Sequence, residues 1–200
     1  RVYRQLHGGQ DLVYFTVKLK ESDLAIGVDA ASYSDSHISM CRQELIRLRA
    51  QLESYILLHP EFQKSLYPIQ LLPSAPTIAC VMAEAARLTG VGPMAAVAGA
   101  VAQAIGEKLD PMVESVIVEN GGDIYINSRR ERVVAVYAGQ SKFSQRVGIK
   151  ISAEEQPMGI CTSSGTVGPS LSFGTADAVV IKGYPVALAD AAATRIGNMI

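Results

Sequence analysis

Three groups of residues in this 200-residue sequence have types and spacings suited to chemistry on a small molecule. The first is Glu119-Asn120-Gly121-Gly122-Asp123. Adjacent glycines permit positive φ and let a ligand approach the backbone closely. Glu119, Asn120 and Asp123 gather polar side chains at the same place, and Asp123 is suited to hold a ribose or a metal. Taken alone, Gly-Gly between two apolar runs is equally an ordinary hairpin signal. The second group is Thr162-Ser163-Ser164-Gly165-Thr166, continuing through Val167-Gly168-Pro169-Ser170. Hydroxyls and glycines at this density can turn several O–H and backbone N–H groups toward an anion. The lysine and spacing of a P-loop are missing, and a solvated Ser/Gly loop has the same composition. The third group is Asp190 and Thr194, spaced i, i+4 and so on one face of a helix. A carboxylate and a hydroxyl are hard oxygen donors, which suit Mg²⁺ or Ca²⁺ better than zinc. A surface Asp with an unrelated Thr would show the same spacing.

The elements that must position these groups follow from periodicity. Residues 12–19 alternate and are rich in β-formers, and residues 24–28 follow a polar turn, which predicts a β-hairpin. A long helix is expected over 37–58, with Ser34, Asp35 and Ser36 as N-cap choices and Pro60 as its stop. Prolines 68, 73 and 76 mark a linker before a helix at 77–89. Pro93 opens a third, Ala-rich helix to about residue 109. Strands are expected at 115–118, 124–126, 133–137, 147–151 and 178–181, with 159–162 leading into the polar loop and a final helix from about 186 past 196. Helices early and strands later predict a single α+β domain spanning residues 1–200, with a mixed β-sheet flanked by helices.

Composition narrows the function classes. Eighteen Lys and Arg against nineteen Asp and Glu give a net charge of -1, with no long basic block, so a nucleic-acid partner is not expected. No apolar run reaches the roughly 20 residues of a membrane span, and no signal peptide opens the chain, so no membrane association is expected. Cys41, Cys80 and Cys161 are far apart and odd in number, which predicts reduced thiols in a cytoplasmic protein. Cys41 and Cys80 read as small apolar residues on helices. His7, His37 and His59 read as surface or capping histidines.

The order of the three groups resembles a known family. Glu119-Asn120-Gly121-Gly122-Asp123-Ile124, following a strand, is similar to the Asn-x-Gly-Gly-Asp-Ile signature of ApbE proteins, FAD-dependent protein flavinyltransferases. Val147-Gly148-Ile149 resembles the next strand, Thr162-Ser163-Ser164-Gly165 the Thr-Ser-Gly loop, and Leu188 to Thr194 the Ala-Asp-Ala-x-Ala-Thr helix. The match covers about residues 90–200. The whole chain looks closer still to a prokaryotic branch of that superfamily marked by ENGGDIYI, TSSGTVG and ALADAAAT.

The resemblance implies roles. Asp190 and Thr194 fall on Mg²⁺-binding positions, joined by a backbone carbonyl from the start of the Ala-rich helix, and Asp190 becomes the residue on which catalysis would depend. Asn120, Gly121, Gly122 and Asp123 fall on the site for the flavin nucleotide, FAD or FMN, with Thr162, Ser163, Ser164, Gly165 and Thr166 beside it. The sequence departs from the transferases in two places. Gly92 to Gly99 lacks the lysine of their Gly-Gly-Ile-Ala-Lys-Gly segment, and Ser170 to Gly174 stands where they carry His-Ile-Ile-Asp-Pro. The expected function is therefore an ApbE-like protein that binds a flavin or nucleotide-like metabolite with Mg²⁺ and carries out FMN transfer or FAD hydrolysis. The alternatives are a non-catalytic flavin- or anion-binding module, and a structural homo-oligomer that uses the Ala-rich helix as its contact face.

Overall fold

The computed structural model describes residues 11–165 and 173–200. Strands β1 (Leu12–Leu19), β2 (Ser22–Asp29), β3 (Ser115–Asn120), β4 (Asp123–Ser128), β7 (Met158–Ser163) and β8 (Val179–Gly183) form one sheet in the order β1-β2-β3-β4-β7-β8. Every pairing in it is antiparallel, so the α+β class holds while the sheet is a meander rather than mixed. The reason is connectivity. Adjacent strands are joined by short turns or by excursions that return to the same end, and no helix crosses over between parallel neighbours.

Strands β5 (Arg132–Ala135) and β6 (Gly148–Ile151) leave the meander and pair only with each other. The strands expected at 133–137 and 147–151 thus form a separate two-stranded sheet. They close over the face of the main sheet opposite the helices, around the fully buried Ile126, Ile151 and Ile160, with Ile117, Ile124, Val134 and Ile149 packed alongside. Each fully buried isoleucine contributes about 1.5–3 kcal/mol, enough to hold a small hairpin in place.

Helices α1 (Ser36–Leu58), the short α2 (Glu61–Lys64), α3 (Thr77–Thr89), α4 (Val97–Leu109) and α5 (Val186–Gly197) cover the other face. Helix α1 buries Cys41, Leu45, Leu48, Leu52 and Tyr55, which lie three or four residues apart and so share one face. Helix α3 ends on Gly90 in a left-handed conformation, its N–H returning to the Ala86 carbonyl. Pro93 opens a turn of 3-10 helix, Pro93–Ala96, before α4 proper begins.

Helix α4 lies in the core. Gly99, Ala100, Val101, Ala102, Ile105, Gly106 and Leu109 are all buried. Its small residues serve close packing within the chain, and the ring of Tyr125 lies over Gly106, where a Cβ would stand 2.1 Å away. The Ala-rich helix is therefore not an exposed oligomer face. Two smaller expectations also change. Cys80 is exposed while Cys41 and Cys161 are buried. His37 is buried against Tyr33 rather than at the surface, and His59 caps α1 with its ring against the Tyr55 hydroxyl; His7 lies outside the described residues. Among the described residues no single helix is long and apolar enough to cross a membrane.

Candidate functional site

The β3–β4 turn is a two-residue hairpin in which Asn120 pairs with Asp123. Gly121 and Gly122 have φ of 73° and 112°. Two-residue hairpin loops favour turns with positive φ at one or both central positions, and glycine supplies it without a steric cost. The space where a Gly122 side chain would stand is open to at least 4 Å. Glu119, 3% exposed, braces the turn by accepting from the Gly122 N–H at 3.0 Å.

Side chains alternate across a sheet, and this decides which of the turn residues face the helices. Asn120 reaches α4 and donates from Nδ2 to the Ala98 carbonyl at 3.1 Å. Cys161 on β7 reaches α5, its Sγ 3.5 Å from the Val186 carbonyl oxygen. Asp123 lies between them, 7% exposed, and accepts from the Thr162 N–H at 3.3 Å and from the Cys161 thiol.

Asp190 comes to the same place from α5. It is 8% exposed, and its Oδ2 accepts from the Gly99 N–H at 2.8 Å. Helix α4 has no side-chain cap of its own, because Ala96 occupies its N-cap position. Asp190 also draws on the Ala98 N–H, so it caps α4 from a distance at the second and third helical positions, where a local Asp would act. Gly99 makes this approach possible. A Cβ there would stand 2.7 Å from the Val186 carbonyl oxygen and 2.8 Å from the Asp190 Cβ.

The electrostatics follow from burial. Burial pushes Asp123 up to about 7, opposed by the Cys161 and Thr162 hydrogen bonds and aided by Glu119. Burial, and then the charge of Asp123, raises Asp190 well above the usual carboxylate range. Burial raises the Cys161 thiol as well, and both aspartates add to the effect. No lysine, arginine or histidine among the described residues offsets either carboxylate. Two neighbouring buried acids share a proton or require a cation.

The expected site residues divide as follows. Asn120, Gly121, Gly122, Asp123, Thr162 and Asp190 converge where the sheet meets the first turn of α4. Ser163 ends β7 and Ser164 follows it, both half-buried. Gly165 is exposed and its N–H donates to the Ala176 carbonyl at 3.0 Å, closing the neck of the loop. Thr166 lies outside the described residues. Thr194 is half-buried one turn beyond Asp190. Among the described residues no three His, Cys, Asp or Glu side chains form a metal-holding group. A groove lined by Pro68, Ile69, Leu71, Cys80, Ala83, Glu84 and Arg87 takes in none of these residues.

The resemblance implies a backbone carbonyl from the start of the Ala-rich helix, but nothing in the sequence signals the Gly99 amide that binds Asp190 or the bond from Asn120 to the Ala98 carbonyl. Backbone groups leave no side-chain signature. Cys161, next to the polar Thr162-Ser163-Ser164-Gly165 loop in sequence, lies against Asp123, a contact across two strands that no local pattern marks.

The profile of the family described as AbpE bacteria matches residues 4–200. The UPF0280 protein of Methanococcus aeolicus is 40% identical over 190 residues, covering 94% of this chain and 75% of that protein. The UPF0280 protein of Methanococcoides burtonii is 41% identical over 182 residues, covering 90% and 75%. Among solved structures, the flavinyl transferase ApbE of Pseudomonas stutzeri in its apo form superposes with a TM-score of 0.54 at 11% identity, covering 92% of this chain and 83% of that one. A variant of the flavin transferase ApbE from Vibrio cholerae gives 0.51 at 14% identity, covering 94% and 86%. At these identities the two structures speak for the fold alone. The chain has the ApbE-like fold and belongs to the family described as AbpE bacteria, a branch of the ApbE-like superfamily.

Proposed function

We propose that this protein binds a flavin or a related nucleotide-like metabolite together with Mg²⁺, and that it transfers or hydrolyses at the pyrophosphate of FAD. The reading is carried by one observation. Asn120 and Asp190, from motifs far apart in the chain, both hold the first turn of α4, at Ala98 and Gly99.

The donor set fits Mg²⁺. Asp190 keeps carboxylate lone pairs beyond its bonds to α4, Thr194 offers a hydroxyl on the same helix, and a backbone carbonyl at the start of α4 adds a third hard oxygen. Mg²⁺ is satisfied by few protein oxygens plus water, so the lack of a three-carboxylate cluster does not count against it. A divalent cation would also offset the mutual repulsion of Asp123 and Asp190. When bound, Mg²⁺ would polarise a phosphoryl oxygen and balance charge on the leaving group. The chain itself supplies the rest. The Gly121-Gly122 turn gives backbone access to a flat ligand, and Asp123 near neutrality can hold or release a proton. Ser163 and Ser164 would offer hydroxyls to phosphate oxygens, Gly165 would keep the loop backbone close to the ligand, and the reading extends this to Thr166.

The experiment is FAD turnover by the full-length protein with and without Mg²⁺, read as FMN and AMP release by chromatography and as flavin attached to added protein. Mg²⁺-dependent product that disappears in Asp190→Asn supports the proposal. FAD left intact with Mg²⁺ present counts against catalysis.

A second reading is favoured by a specific departure: Gly92 to Gly99 lacks the lysine of the transferases. Without that cation the same residues would hold a flavin without cleaving it. Flavin binding that persists in chelator, with no turnover, would select this module. A cytoplasmic setting, self-association and the absence of nucleic-acid binding belong to the proposal as well.

A further inference from the structure

Helices α4 and α5 hold each other's first turns. Helix α5 begins after Pro185 without a side-chain cap, so the Val186 N–H is one of its unsatisfied donors. Gln103 of α4 accepts it through Oε1 at 2.8 Å. In return, Asp190 of α5 accepts the Gly99 N–H of α4 at 2.8 Å. The two bonds run in opposite senses between the same pair of helices, one turn apart on each. Gly99 lets the backbones close to contact between them.

Gln103 is itself held. Its Nε2 donates to Glu107 Oε1 at 2.7 Å and lies 3.4 Å from the Tyr184 hydroxyl. Tyr184 donates to the same Glu107 oxygen at 3.0 Å. The amide is therefore clamped in one orientation, oxygen toward α5 and nitrogen toward Glu107.

We propose that Gln103 is a positioning residue for the Asp190 carboxylate. A helix fixed at a single point can still slide or turn about its axis. Fixing α5 at both Val186 and Asp190 removes both freedoms and sets where the remaining Asp190 oxygen points. A ligand group held through a supporting hydrogen bond loses affinity when the support goes, typically about 10–100-fold for a metal. The metal arm of this inference rests on the proposed Mg²⁺ site, and the exchange arm does not.

The test compares wild type, Gln103→Ala, and the swap Gln103→Glu with Glu107→Gln. The swap keeps an acceptor for Val186 and returns a donor–acceptor pair to the clamp. Amide hydrogen exchange is read by NMR at Val186 and Gly99, and Mg²⁺ or Mn²⁺ affinity by calorimetry. Faster exchange at both amides in Gln103→Ala is expected, with metal affinity down about tenfold and both recovered in the swap. Faster exchange at Val186 alone overturns the proposal, because the two bonds are then independent. Unchanged metal affinity in Gln103→Ala also overturns it when wild type binds metal. If wild type binds no metal, the Mg²⁺ reading fails and the exchange at Gly99 alone decides for or against Gln103.

Discussion

Asp190 and Gly99 are 91 positions apart in the chain, yet the Asp190 carboxylate is 2.8 Å from the Gly99 amide nitrogen. That bond gives Asp190 two tasks, capping α4 and offering an oxygen to the site. The tasks can be separated by substitution. Asp190→Asn retains an acceptor for Gly99 and removes a buried charge, so it should unfold in urea at or above the wild-type midpoint. Asp190→Ala leaves the cap empty and should lose about 1–2 kcal/mol. Both should lose Mg²⁺-dependent flavin chemistry. If Asn and Ala destabilise equally, the capping role is wrong.

Gly99 sets the distance between α4 and α5. Gly99→Ala forces a methyl group into the Val186 carbonyl and the Asp190 side chain. The neighbours are backbone and a helix-bound Cβ, neither of which yields easily. A loss of about 1–3 kcal/mol is expected, despite the better helix propensity of alanine. Thermal unfolding measures it, and a stabilised Gly99→Ala would contradict the packing.

The stability of the metal-free protein should depend on Asp123. Its pKa rises from 3.8 to about 7 in the fold, so the folded state holds a proton that the unfolded state has released in the interval between. Folding is thus favoured as pH falls from about 7 toward 5 and disfavoured as pH rises through the same range. Thermal unfolding in chelator should show Tm rising on acidification over that window. Asp123→Asn should flatten the slope there.

The three thiols should react unequally. Burial raises Cys41 to about 12 and holds Cys161 well above its usual range, and both side chains are shielded. Cys80 is exposed. A thiol reagent at neutral pH should label one cysteine in the native protein and three after denaturation, since reactivity needs both thiolate and access. Peptide mapping that found rapid labelling of Cys161 would mean that the site opens readily.

Asn120 ties the Gly-Gly turn to α4 through one bond to the Ala98 carbonyl. Asn120→Ala should cost about 1 kcal/mol of stability. Flavin affinity should fall by a larger factor than the stability change implies, because the turn would no longer be held against the helix. Fluorescence titration with FAD and FMN reads the effect.

Much of this was legible in the chain itself. Gly121 and Gly122 between apolar alternating runs gave the hairpin, because a two-residue loop favours positive φ and glycine supplies it without a steric cost. The spacing of Cys41, Leu45, Leu48, Leu52 and Tyr55 gave α1 and its buried face. The order of the Gly121-Gly122-Asp123, Thr162-Ser163-Ser164-Gly165 and Asp190-to-Thr194 groups gave the family. These are local patterns, fixed by residue type and period. The tertiary structure alone decided that the sheet is antiparallel throughout, that β5 and β6 form a sheet of their own, and that the Ala-rich helix is core. It alone set Asp190 on the amides of α4 and Gln103 on α5. Those outcomes depend on strand pairing and on helix approach between residues distant in sequence, through backbone groups that every residue carries and no motif announces.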